Sequence, residues 1–211
     1  MAGMDVKHEI IVRAERLFLK LGVRSVTMDD VAREMGISKK TLYQHFHNKD
    51  KLVAEVISTH VAREKAIMDG ICVESCDALD EMLKVGTFMT AMIEEISPGA
   101  LYDLQKYYRK SWEKLMEEQD GQTSSCIMKN IERGQKEGLY RKNLNAQIVA
   151  KLYGKATFMI VEELSDSHSK FTRRELIWEL HNYHIHAIAT PKGLALWKEY
   201  GKTSTAKINQ Y

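Results

Sequence analysis

Between Thr27 and Lys51 the chain reads Thr-Met-Asp-Asp-Val-Ala-Arg-Glu-Met-Gly-Ile-Ser-Lys-Lys-Thr-Leu-Tyr-Gln-His-Phe-His-Asn-Lys-Asp-Lys. From Ser38 to Lys51 four lysines face one acid, and His45 and His47 add further donors. That mixture suits a polyanion, with ammonium groups for phosphates and a long amide side chain for base edges in a major groove. An ordinary helical hairpin with a solvated lysine face has the same composition. What separates the two is whether the local structure aims these groups in one direction.

The local signals do so. Thr27 can accept from the backbone N–H near Asp30, and Gly36 can take the left-handed conformation that stops a helix, which predicts a helix over 28–35. Ser38 is a second N-cap, and Ile37 before it can close over Leu42, so the next helix starts at Lys39. On that helix Leu42 and Phe46 share a face and turn inward with Val31, Ala32 and Met35, while Lys40 and Gln44 point away. A preceding helix carries Ile10, Ala14, Leu17, Phe18 and Leu21 at three- and four-residue spacing and serves to cover the other two. Gly22 is its expected stop, and Arg24 beside Thr27 is expected to be solvated.

Several of these residues carry a resemblance. Ala14-Glu-Arg-Leu-Phe18, Gly22-Val-Arg-Ser-Val-Thr27, Val31-Ala, Gly36-Ile-Ser-Lys-Lys-Thr-Leu-Tyr-Gln-His-Phe46 and Lys49-Asp-Lys-Leu52 resemble the TetR family of bacterial transcriptional regulators. The resemblance covers roughly the first quarter of the chain at motif level, and beyond it only length and helical character agree. It implies that Thr27, Thr41, Tyr43 and Lys49 contact phosphates and that Lys39, Lys40, Gln44 and His45 lie near base edges. Some members carry a basic, base-contacting side chain directly after the first threonine. Met28 stands there in this chain, so that contact is not carried over.

Composition limits the rest. With 211 residues, two prolines and little turn chemistry, the chain is expected to be all-α, with a DNA-binding head over 1–49 and a helical ligand-binding and dimerisation domain over 50–211. A net charge of +2 excludes a wholesale polyanion binder and confines any nucleic-acid contact to a local cluster. The absence of a leader-like N-terminus or an apolar run near the ~20 residues that span a bilayer, and the odd count of three cysteines, lead to the expectation of a cytoplasmic protein without membrane contact. No phosphate-binding loop, nucleophile elbow, zinc-protease motif, dinucleotide fingerprint or Glu-x-x-His pair occurs, so no catalytic residue and no cofactor is assigned.

Past Asn48, a candidate N-cap, Leu52, Val53, Val56, Ile57, His60 and Val61 continue helically, with a break expected near Asp69-Gly70. A long apolar helix then runs to Ser97-Pro98-Gly99, another covers 123–136, and Gly138 caps it. The resemblance places two last long helices at about 145–164 and 172–189, where they pair with a second copy in a four-helix bundle; Ile148, Val149, Leu152, Ala156, Met159, Ile160, Leu176, Leu180, Tyr183 and Ala187 are the apolar positions for it. The expected activity is therefore that of a homodimeric regulator, a repressor, on a palindromic operator in double-stranded DNA. The alternative is a helical ligand-binding or scaffold protein that has lost DNA recognition.

Eleven methionines and a mid-chain aromatic group suggest a deformable cavity for an unknown small molecule, with Phe88, Met89, Met92, Tyr102, Tyr107, Tyr108, Trp112 and Met116 as its lining; ordinary core is the competing reading for each. Cys72 and Cys76, four apart, read as small buried hydrophobes rather than a redox pair. His181, His184 and His186, with His168 as a possible addition, fall short of a metal ligand set, and no metal is assigned. A polar tail from Lys202 is expected to be loose.

Overall fold

The computed structural model describes residues 5–164 and 170–208. Ten helices are described: α1 (Val6–Leu21), α2 (Met28–Met35), α3 (Lys39–His45), α4 (Lys49–Glu74), α5 (Ala78–Glu94), α6 (Pro98–Tyr107), α7 (Arg109–Glu137), α8 (Ala146–Leu164), α9 (Arg173–Ile188) and α10 (Pro191–Ile208). The all-α expectation holds, the one β feature among the described residues being an isolated bridge between Tyr140 and Ala189. No helix among them is long and apolar enough to cross a membrane. Contacts divide the chain into two compact units, one holding residues up to Lys65 with Glu94–Gln119, the other Ala66–Ile93, Asp120–Glu163 and the residues from 170 onward.

In the first unit α1 buries Ile10, Ile11, Ala14 and Phe18 and packs on α2, which packs on α3. Gly22 ends α1 at φ 86, its N–H reaching back to the Phe18 carbonyl. A side chain there would collide as well as strain, because a Cβ would stand 2.9 Å from Asp103 Oδ2 on α6.

The second unit surrounds a core of Leu79, Met82, Ile131, Tyr140, Ile185 and Ile188. Two polar ties close it. The buried Asn130 amide and the Tyr140 hydroxyl both donate to the Ala78 carbonyl, at 2.9 and 3.2 Å. Arg133 donates to the Ser75 carbonyl at 2.7 Å and pairs with Glu81 at 3.0 Å and Glu137 at 2.8 Å. Gly134 lies under the Tyr140 ring so closely that a Cβ would fall 2.1 Å from Cδ2.

Five expectations are corrected. α4 runs straight through Asp69 and Gly70, since one helical glycine costs only about 1 kcal/mol against alanine and tertiary packing overrides it. The 123–136 helix is the second half of a 29-residue α7, and Pro98 starts α6 rather than merely ending α5. The two long helices expected to be last are followed by α10: Thr190 accepts the Gly193 N–H at 3.2 Å and Pro191 takes the first turn, where its missing N–H costs nothing. The polar segment from Lys202 continues that helix to Ile208, and Asn209–Tyr211 lie outside the described residues.

His181 and His184 both turn into the second unit's core. His181 Nδ1 donates to the Ile177 carbonyl at 2.9 Å, so its Nε2 accepts from the Tyr153 hydroxyl at 3.2 Å. His184 Nε2 is buried without a hydrogen-bond partner among the described residues. Burial, with the neighbouring His181 adding to it, pushes the His184 pKa down to about 4. A histidine neutral in the fold but free to charge when unfolded adds stability above the unfolded pKa of 6.5, and that stability disappears as pH falls towards 4. Urea unfolding is expected to show a loss of roughly 3 kcal/mol from this one group across that window. His184→Leu should leave stability at pH 7 nearly unchanged and flatten the acid limb; an unaltered limb would contradict the assignment.

Candidate nucleic-acid interface

α2 begins with a reciprocal cap. Thr27 Oγ1 accepts the Asp30 N–H at 3.1 Å, while the Asp30 carboxylate accepts the Thr27 N–H at 2.9 Å and the Thr27 hydroxyl at 2.6 Å. The hydrogen bonds from Thr27, helped by the Arg33 charge, hold the Asp30 pKa below the usual carboxylate range. Gly36 ends the helix at φ 65, and the Ile37 N–H returns to the Ala32 carbonyl at 3.0 Å. Ser38 then caps α3 by accepting the Thr41 N–H at 3.0 Å. Asn48 caps α4 in the same way, taking the Lys51 N–H at 2.9 Å.

Between these caps α3 has two faces of opposite character. Leu42 is 0% exposed and Phe46 2%, whereas Lys39, Lys40, Tyr43, Gln44 and His45 are exposed and Thr41 is half-buried. Lys40 and Gln44 have no role in holding the helix in place, which leaves them available to a ligand. Met28 is buried.

Three groups in this region are less free than the sequence suggests. The Lys39 ammonium is paired with Asp29 of α2. Both donors of Thr27 are engaged by Asp30. Lys49 is half-buried, its Nζ donating to the Arg24 carbonyl at 3.2 Å and lying 5.7 Å from the Tyr108 ring centroid. Burial lowers its pKa against the pull of Asp103, Asp30 and Asp50.

Arg24 is exposed, as expected, but it is also tied to α6. Its N–H donates to Asp103 Oδ2 at 2.8 Å, and its guanidinium donates to the Tyr107 hydroxyl at 2.8 Å while lying 4.7 Å from that ring's centroid. α6 therefore holds the α1–α2 loop. Nothing near Arg24 in sequence announces this, because Asp103 and Tyr107 lie about eighty residues away.

The aromatic set assigned to a ligand falls in both units. Tyr102, Tyr107, Tyr108, Trp112 and Met116 belong to the first, and Phe88, Met89 and Met92 to the second. Tyr102 and Tyr107 are exposed, Tyr102 accepting from Lys106 at 2.6 Å, and Trp112 is buried. Cys72 and Cys76 are exposed, contrary to the buried reading: α4 stops at Glu74, so the two share no helical face, and Cys76 Sγ lies 3.5 Å from the Tyr200 hydroxyl. Among the described residues no cluster of potential metal ligands forms; His186 is exposed with its Nδ1 on the Asn182 carbonyl, and His168 lies outside them.

Comparison with known proteins gives this geometry a context. Residues 10–56 match the family model described as bacterial regulatory proteins, tetR family. The HTH-type transcriptional regulator YvaF of Bacillus subtilis is 33% identical over 104 residues, covering 49% of this chain and 54% of that protein. The regulator TtgR of Pseudomonas putida is 32% identical over 75 residues, 33% of this chain and 36% of that one. The chain thus aligns with about half or less of the curated relatives' length. Among solved structures, a transcriptional regulator from Cytophaga hutchinsonii superimposes with a TM-score of 0.70 at 20% identity, covering 88% of this chain and 100% of the other. The fatty acid degradation regulator FadR from Bacillus halodurans does so at 0.67 and 13%, over 88% and 97%. At those identities the likeness is one of fold.

The two faces of α3 make opposite demands on mutation. Leu42→Ala is expected to cost about 2–5 kcal/mol of stability, and Lys40→Ala no more than about 0.5 kcal/mol, by urea unfolding followed in the far ultraviolet. Equal costs would show that the helix is anchored differently.

Proposed function

We infer that this chain, whose head belongs to the TetR family of bacterial regulatory proteins, is a one-component transcriptional regulator acting in the cytoplasm, without catalysis, as a homodimer on a palindromic operator. The observation that carries the reading is the anchored α3 with an outward flank of Lys40, Tyr43, Gln44 and His45. A helix fixed from behind by Leu42 and Phe46 can enter a major groove in one pose, so its long side chains meet base edges at defined positions. In our reading Thr27, Thr41, Lys49 and the Tyr43 of that flank hold phosphates, while Lys40, Gln44 and His45 lie against base edges. Lys39 joins the base-reading group once released from Asp29.

The dimer uses α8 and α9. Ile148, Leu152 and Met159 on α8 are 59%, 66% and 67% exposed, and Tyr183 on α9 is 76% exposed. Large apolar side chains grouped at helical spacing and left in water are what a second copy would cover. Two-fold symmetry then sets two α3 helices about 34–36 Å apart, one turn of duplex, so that both read the same face of a palindrome. A small molecule bound in the helical body would act by preferring one spacing of the heads, changing operator affinity by no more than its own preference for that state. Its candidate contacts are either Phe88, Met89 and Met92 in the second unit or Tyr102, Tyr107, Tyr108, Trp112 and Met116 in the first, and repression is the expected sign.

A gel-shift titration against DNA flanking the chain's own gene tests the DNA reading. Specific retention is expected, with Lys40→Ala and Gln44→Ala each losing roughly 1–3 kcal/mol of discrimination at unchanged stability. Indifference to DNA sequence would instead favour a scaffold. Dimerisation is read separately by light scattering: Leu152→Glu together with Tyr183→Glu should give monomers that no longer bind the palindrome. A dimer surviving both changes would place the interface elsewhere.

A further inference from the structure

Where α6 meets the α1–α2 loop, three cations face aromatic rings rather than acids. The Arg24 guanidinium lies 4.7 Å from the centroid of the Tyr107 ring and donates to that residue's hydroxyl at 2.8 Å. Lys106 Nζ donates to the Tyr102 hydroxyl at 2.6 Å and lies 5.0 Å from the Tyr102 centroid and 5.6 Å from that of Tyr107. Lys49 Nζ, bonded to the Arg24 carbonyl, lies 5.7 Å from the Tyr108 centroid. Elsewhere in the same unit Arg13, Arg33, Lys39, Arg63 and Arg109 each form an ion pair with a carboxylate. Among the described residues Arg24, Lys49 and Lys106 form none. The acids that act on Lys49 from further away are Asp103, Asp30 and Asp50. Asp103 Oδ2 already accepts the Arg24 N–H at 2.8 Å, and Asp30 is taken up by Thr27 and Arg33.

The kind of partner decides what becomes of the charge. A carboxylate orders a cationic side chain and cancels its charge, whereas a neutral ring or hydroxyl orders it and leaves the charge in place. Tyr107 is shared by Arg24 and Lys106, so two like charges are drawn to one ring, and an anion held by both would relieve their repulsion. A cation ordered in advance also gives up less freedom on binding than a free one. The ground beneath the group is firm: the Ser97 N–H at the start of α6 donates to the Leu19 carbonyl of α1 at 2.9 Å, and Asp103 closes against Gly22 with no room for a side chain between them.

The position of the group selects the anion. Arg24 lies three residues ahead of Thr27, the N-cap of α2, and its carbonyl holds Lys49. Thr27 and Lys49 are phosphate contacts in the reading above, so the group continues that surface from the head onto α6. A DNA strand carries one phosphate for about every 3.4 Å of axis, and cations spread along such a surface meet successive ones.

We propose that Arg24 and Lys106, held by the rings of Tyr107 and Tyr102, extend the contact of Lys49 into a phosphate-binding surface that grips the DNA backbone beside the groove entered by α3. This rests on the head binding DNA as inferred above. Tyr102, Tyr107 and Tyr108 then hold cations rather than a small molecule, which leaves Phe88, Met89 and Met92 for the latter.

The test measures fluorescence anisotropy with the full chain from about 50 to 200 mM salt, on a duplex from DNA upstream of its own gene and a scrambled duplex of equal length. Arg24→Gln and Lys106→Gln should each lower the steepness of log affinity against log salt by about 0.9 for every head bound. Both duplexes should weaken alike, by up to about eightfold per head near 0.1 M salt. Lys65→Gln removes an exposed charge from α4 sixteen residues beyond Lys49, about 24 Å by helical rise, and reports the effect of net charge alone. Tyr107→Leu, which keeps every charge but frees Arg24, should weaken both duplexes, while Tyr107→Phe, which keeps the ring, should bind much like wild type. Equal binding by these two variants overturns the role given to the ring. Lys106 is exposed, so its variant decides the matter should Arg24→Gln misfold by far-ultraviolet circular dichroism. Slopes equal to wild type, or losses no larger than that of Lys65→Gln, overturn the proposal. Wild type that binds the two duplexes alike removes the sequence-reading inference, and the slopes still decide the phosphate surface; wild type that binds neither overturns both.

Discussion

α3 has seven residues, too few for a helix to hold together in water alone. It exists because Leu42 and Phe46 are buried where it packs on α2, and the same burial decides which way the helix faces. Foldedness and orientation are therefore one property here. No arrangement keeps this helix formed while letting Lys40, Tyr43 and Gln44 turn inward, since that would expose the two side chains that make it a helix. The cap at Ser38 defines where α3 starts, but it contributes only about 1 kcal/mol, less than the burial of either anchor.

Around this anchored element the polar contacts do something other than stabilise. Exposed ion pairs contribute between nothing and about 1 kcal/mol, so Asp29 with Lys39 counts for little as stability, and the exposed hydrogen bond of Arg24 to Tyr107 adds little more. Their effect is to limit where long cationic side chains can go. Arg24 and Lys49 would otherwise sweep a wide volume beside α2; Asp103, Tyr107 and Tyr108 of the α6 region confine them to one side of the loop.

How much of this was legible depended on the distance over which each feature is decided. Thr27, Gly36, Ser38 and Asn48 act on backbone groups within a few residues, so the bounds of α2 and the start of α3 follow from the sequence directly. Leu42 and Phe46 follow from helical spacing. The course of α4 through Gly70 did not, since a lone glycine looks like a break unless packing is known. Arg24 looked unpartnered because Asp103 and Tyr107 meet it only in the fold, and Cys76 looked buried because its spacing from Cys72 does not show that α4 stops at Glu74. Likewise nothing marks Gly134 as special until Tyr140 is seen lying across it. α10 does not follow from the resemblance, which extends only to the two helices before it, although Thr190 and Pro191 are ordinary start signals.

The contact between Lys39 and Asp29 bears on the DNA-binding reading proposed above. Free of any ligand, this ammonium already rests on an anion supplied by its own chain, so docking in that reading would exchange one negative partner for another instead of filling an empty position. Because an exposed pair of this kind contributes at most about 1 kcal/mol, the exchange would be close to neutral and this one cation would add little net attraction.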